Sequence, residues 1–147
     1  MIRSVFAAVL AIAVTLPATI AAAGPIQDRQ EIMEGNGKDT KAGGAMLKGE
    51  TPFNAVTANK ILANYVAAAK AFPAHFPASS KTGGDTEASS AIWSMPVDWK
   101  IATDKFQKDT VAAAALKPTD AAGFGKAFGM VTANCKSCHE GFRIKKN

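Results

Sequence analysis

The sequence predicts an all-α fold, an antiparallel up-down-up-down four-helix bundle, and three observations predict it. Apolar residues recur at alternating four- and three-residue spacing in separate segments. Proline-bearing breaks divide those segments, with short first and third connections that suit antiparallel neighbours. No run of Val, Ile, Thr and Tyr shows strand alternation, whereas alanine is abundant. With 147 residues the chain is expected to form one domain.

Residues 1–23 read as a secretory signal peptide. Arg3 is its charged start, Val5 to Leu16 its apolar run, and Ala21-Ala22-Ala23 its small-residue cleavage site. The run is too short for a permanent membrane span. No second apolar stretch follows, so residues 24–147 are expected to be a soluble domain. Removing the signal takes away Arg3 and no acid, which lowers the formal net charge of +5 by one. That balance biases docking towards acidic partners. The lysines are scattered, without a basic run or aromatic-basic interleaving, so nucleic-acid binding has no signature.

The first helix is expected from Pro25, well suited to the first helical position, to about Lys48. Ile26, Met33, Thr40 and Leu47 share one seven-residue register. Gly35, Gly37, Gly43 and Gly44 either weaken this helix, by up to ~1 kcal/mol each, or let a neighbour come close. Thr51 and Pro52 are expected to cap and open the second helix, in which Ala58, Leu62, Tyr65, Ala69 and Phe72 form the inward seam. Phe72-Pro73 ends it. Residues 73–93 form a long irregular connection pinned by Phe76, Ile92 and Trp93. Ser94 is expected to cap a third helix from Met95 or Pro96 to about Leu116, with Trp99, Ala102, Phe106, Thr110 and Ala113 as its inner stripe. After the break at Lys117-Pro118-Thr119, the fourth helix runs from Asp120 to about Ile144. Its stripe is Phe124, Phe128, Val131, Cys135, Cys138 and Phe142, with Lys145 and Lys146 closing it where cations suit the dipole.

Near the end of that helix stands Cys135-Lys136-Ser137-Cys138-His139. C-x-x-C-H is the attachment signature of a c-type haem. Two thiols at i and i+3 bond to the two vinyl groups of one porphyrin, and the next imidazole reaches the iron. On a helix all three side chains share one side. A single covalently attached haem c is therefore expected near the C-terminal end of helix four, its propionates roughly halving the positive charge. The competing readings are weaker. A redox dithiol belongs at the opening of a helix in a βαβ unit, and structural zinc needs four ligands, for which only His75 remains.

Bundle topology limits what sits across the iron. The end of helix four lies beside the start of helix one and beside the long connection, and Met33 meets that test. Met46 lies 13 residues further on, ~20 Å along the axis. Met130 shares a helix with His139; Met95 and His75 remain geometric rivals, although His75 reads more simply as a loop residue between two prolines. Spacing alone does not separate Met33 as ligand from Met33 as core filler. Arg29 lies on the face of Met33, within reach of a propionate or else solvated. Arg143, four residues after His139, is placed to influence the haem edge or the imidazole. Trp93, Trp99 and Tyr65 read as core aromatics. No acid-base pair, nucleophile elbow or phosphate loop supports enzymatic turnover.

Over essentially all of residues 24–147 the chain resembles the cytochrome c-prime and cytochrome c-556 family of periplasmic four-helix haem proteins. The marks are Arg29-Gln30-Glu31-Ile32-Met33, Lys48-Gly49-Glu50-Thr51-Pro52-Phe53, Phe72-Pro73 with Phe76-Pro77, Ile92-Trp93, and the closing Cys135-x-x-Cys138-His139-x-x-Phe142-Arg143. The resemblance implies thioether links at Cys135 and Cys138, His139 as proximal ligand and Met33 at the distal position. In the c-556 branch the distal methionine binds iron, giving a six-coordinate low-spin electron carrier. In the c-prime branch the site is five-coordinate and open, and binds nitric oxide or carbon monoxide. Met33-Glu34-Gly35-Asn36-Gly37 and Gly44-x-x-x-Lys48-Gly49-Glu50-x-Pro52 are more similar to the c-556 branch, while Arg29 four residues before the distal position is similar to c-prime. The implied function is electron transport between redox partner proteins, with Lys145, Lys146 or Arg143 near the docking surface. The family also implies a possible homodimer through the first two helices.

Overall fold

The computed structural model describes residues 24–144; the expected signal segment 1–23, Lys145 and Lys146 lie outside them. Four long helices make the bundle: α1 (Pro25–Leu47), α2 (Ala55–Ala71), α4 (Pro96–Ala115) and α5 (Ala121–Phe142). A one-turn helix, α3 (Ala91–Ser94), precedes α4, and two 3-10 turns, Phe72–His75 and Ala78–Ser80, shape the long connection after α2. Helix α4 packs against α2 and α5, and α1 packs against the same two.

Local chemistry decides where the helices begin and end. Helix α2 starts three residues later than expected from Thr51 and Pro52. Asn54 is its cap, its side chain accepting from the Thr57 N–H at 2.9 Å. The stretch before it stays non-helical and carries Phe53 to within 6.1 Å of Phe124, ring to ring. Ser94 does not cap α4: it ends the preceding turn, its hydroxyl donating to Ser90 O at 3.3 Å, and α4 opens at Pro96 without a side-chain cap. Asp120 does cap α5, accepting from the Gly123 N–H at 2.7 Å. Helix α5 stops at Phe142, short of Ile144, because Arg143 turns extended and pairs with Ala88 in an isolated antiparallel bridge.

The core is Met46, Ala58, Ile61, Leu62, Tyr65, Ala113, Phe124, Ala127, Phe128 and Val131. The expected seams of the second and fourth long helices supply most of it. In α1 the buried positions are Arg29, Gly43 and Met46, whereas Leu47 is 38% exposed, so the inward face is turned by one residue at that end. Gly43 permits a close approach: a Cβ there would lie 2.5 Å from Phe128 Cε2, whereas Gly35, Gly37 and Gly44 face open space. The core thins beyond Val131, and the far end of the bundle opens into a cavity beneath the long connection.

Candidate functional site

The cavity measures about 800 Å³ and its walls are mainly apolar. Helix α1 contributes Met33 and Thr40, α2 contributes Tyr65, and α4 contributes Trp99 and Phe106; Cys135, Cys138 and His139 come from α5. The motif and Met33 thus meet at one space from different helices. Edge-to-face rings brace the wall: Phe72 with Phe76 at 4.9 Å, Phe76 with Trp99 at 4.8 Å, and Trp99 with Phe142 at 5.2 Å. The connection is pinned as expected, since Ile92 is buried and Trp93 Nε1 donates to Phe76 O at 2.9 Å.

The electrostatics favour neutral donors. Burial pushes both cysteine thiols above their ordinary range, and Cys135 adds to the effect at Cys138. His139 is lowered, first by burial and then by the charge of Arg143, with Glu87 opposing. At neutral pH its imidazole therefore keeps a free lone pair for a metal.

The rival residues are elsewhere. Met46 sits in the packed core, Met95 and Met130 are on the exterior, and none of them is among the cavity's lining residues. His75 also stands off the lining, its Nδ1 3.2 Å from Asp28 Oδ2.

Arg29 is 4% exposed, which removes the solvated alternative. Its Nη1 donates to His75 O (3.1 Å) and Ser80 Oγ (3.0 Å), and its Nη2 to Ser80 O (3.1 Å) and Thr86 Oγ1 (2.5 Å). The guanidinium also stacks over Phe76, 4.9 Å from the ring centre. Burial pulls its pKa down, yet a guanidinium remains charged. Arg29 therefore ties the connection to α1 while presenting a cation to the cavity wall. Arg143 also lines the cavity, paired with Glu87.

Four further features of the site escaped the sequence reading. Asn36 donates from Nδ2 to Met33 Sδ at 3.9 Å. Tyr65 and Thr40 share a 2.7 Å hydroxyl contact. Asn134, buried beside Cys135, donates to Met130 O (3.0 Å) and Asp109 Oδ2 (2.9 Å) and accepts from Lys105 Nζ (3.0 Å), which fixes the roll of α5 against α4. Glu87 is the fourth. Asn36 and Asn134 each lie three residues from an inward position, Met33 and Val131, and that spacing was the available signal. Nothing in the loop sequence marked Glu87.

Comparison with known proteins points to one family. The sequence model of the family described as Cytochrome C' matches residues 24–143. A cytochrome c' of Rhodopseudomonas palustris is 43% identical over 124 residues, covering 83% of each chain. A cytochrome c-556 of Agrobacterium fabrum is 38% identical over 125 residues, covering 85% of this chain and 84% of its own. The solved structure of cytochrome c' from Rhodopseudomonas palustris superposes with a TM-score of 0.78 at 39% identity, over 85% of this chain and 99% of that one.

Proposed function

This chain belongs to the cytochrome c' family, whose members carry covalently attached haem c, and on that premise we propose that it is a periplasmic mono-haem electron carrier in which His139 and Met33 would hold the iron. The observation that carries the reading is the meeting of Met33 on α1 with Cys135, Cys138 and His139 on α5 around one apolar cavity.

The residues present fit the group. The volume is that of a cofactor pocket, the walls are aromatic and aliphatic, and the donors are two thiols, an imidazole and a thioether. When bound, the haem supplies a one-electron ferric–ferrous couple. Cys135 and Cys138 would hold it through thioether bonds, each S–H adding across one vinyl group. His139, kept neutral by burial, would offer its lone pair to the iron. Met33 would favour the ferrous state, because a thioether is a soft, uncharged ligand. The apolar walls act the same way by disfavouring additional positive charge. Arg29 would draw a propionate carboxylate to its side of the cavity while staying bound to the connection. Arg143 would lie near the surface used by redox partners. Among the described residues no helix is long and apolar enough to cross a membrane.

One observation favours the alternative, a five-coordinate protein that binds nitric oxide or carbon monoxide at an open distal site. The sulfur of Met33 accepts a hydrogen bond from Asn36, which competes with coordination. Spectra of the haem-loaded protein decide between the two. The expected result is a low-spin spectrum with a weak near-infrared sulfur-to-iron band, converted to high-spin by Met33→Ala. A spectrum unchanged by that substitution removes Met33 from the ligand role. High-spin spectra and rapid carbon monoxide binding in the unaltered protein establish the alternative.

A further inference from the structure

Glu87 stands outside the attachment motif, in the connection between α2 and α4, yet it is fastened to the helix end that carries the motif. Its Oε2 accepts from both Nε and Nη2 of Arg143. Its backbone carbonyl accepts from the Ile144 N–H at 2.8 Å, and the Ser89 N–H donates to Phe142 O at 3.0 Å. Between them Ala88 and Arg143 form the isolated bridge. The Arg143 N–H in turn donates to His139 O at 3.2 Å. One residue upstream, Thr86 accepts from Arg29 on α1. Residues 86–89 therefore strap α1 to the end of α5, and Glu87, His139 and Arg143 all line the cavity.

The ion pair is half-exposed, so its own contribution to stability is small. Its effect on charge placement is larger. Two bonds to one carboxylate oxygen, together with the backbone bridge, leave the guanidinium little freedom to swing towards the cavity or away from it. The carboxylate also cancels a full positive charge beside the imidazole, at a partly desolvated rim where such charges are felt more strongly than in water.

We propose that Glu87 is a positioning residue for electron transfer: it fixes Arg143 beside His139 and neutralises it there, and so holds the reduction potential down. The proposal rests on His139 being an iron ligand, though not on the role of Met33. Glu87→Gln keeps the size and a hydrogen-bond acceptor while leaving Arg143 uncompensated. Uncompensated positive charge favours ferrous over ferric iron. At a fixed solution potential the ferrous-to-ferric ratio should rise about threefold in the haem-loaded variant, which is about 30 mV at 59 mV per tenfold for one electron. The rise should shrink at high salt, where exposed charges are screened. Glu87→Gln combined with Arg143→Gln removes both charges and should return the ratio to near its original value.

A purely structural strap would behave otherwise, with lower thermal stability and faster amide exchange at Ser89 and Ile144 but an unchanged potential. That pattern, or a fall in potential, overturns the proposal. A chain that takes up no haem when expressed with the attachment machinery overturns the functional reading itself, and absorbance distinguishes that outcome from the other two.

Discussion

The two ends of the bundle are made by the same four helices with similar apolar spacing, yet one end is filled and the other hollow. At the filled end Ala58, Leu62, Phe124, Ala127 and Val131 are all fully buried, with 0% exposure. At the hollow end the same helices present Met33, Trp99, Phe106 and Cys138, all only half-buried around the cavity. Periodicity decides which way a side chain faces; it does not decide whether the facing volumes sum to a packed interior. The difference is one of support. The walls of the cavity end are braced from outside, by packed rings and by a connection tied down through Arg29, Trp93 and Glu87. The filled end provides the rigid base from which α5 projects its motif.

The sharpest way to break this comparison is to hollow the filled end as well. Phe124→Ala removes a fully buried ring between Phe53 and Phe128 and should cost about 3–5 kcal/mol of unfolding free energy, measured by denaturant titration of the haem-loaded protein. A loss below about 1 kcal/mol would show that this end is not the stabilising half. A smaller effect is expected from overfilling. Gly43→Ala places a methyl 2.5 Å from the Phe128 ring, so the ring must move, at a cost of about 1–3 kcal/mol. Gly44→Ala, next to it and facing open space, should be neutral or stabilising because alanine suits a helix better. If the two variants behave alike, close packing at Gly43 is not what its glycine serves.

Most of the filled end was legible in the sequence, since the seams through Ala58, Leu62 and Tyr65 and through Phe124, Phe128 and Val131 are buried where spacing put them. The motif, and the approach of Met33 towards it, were legible too. One is a dense local pattern, and the other follows from how an up-down chain must return. Capping was less so. Thr51-Pro52 is a sound helix start by composition, but Asn54 prevails because the preceding residues must remain extended for Phe53 to reach Phe124. The supports of the hollow end were the least legible. For Arg29 the sequence left a solvated side chain as open as a propionate contact, since long charged side chains are usually exposed; here Ser80, Thr86 and the His75 carbonyl supply its acceptors from about fifty residues away. Contacts at that separation leave no local pattern, and Glu87 with Arg143 is another such case.

Tyr65 sits where the two ends meet, inside the packed cluster and on the cavity wall, and it carries the smallest predicted effect. Thr40 already donates its proton to Asn36 O at 2.7 Å, so the 2.7 Å contact between hydroxyls has Tyr65 as donor. Tyr65→Phe removes that bond but leaves Thr40 with a partner, and should cost about 1 kcal/mol at pH 7. Burial, the largest cause, raises the phenol to about 12, against an ordinary value near 10. The unfolded chain therefore releases this proton first as the pH rises. Stability conferred by the neutral phenol is complete below pH ~10 and is lost progressively towards pH ~12. By pH ~11 about 1 kcal/mol should be gone from the unaltered protein and nothing comparable from the Phe variant, so the two unfolding curves should converge. A difference that stays constant from neutral to alkaline pH would place Tyr65 in contact with water through the cavity, and the boundary between the filled and hollow ends would then lie deeper, towards Phe128.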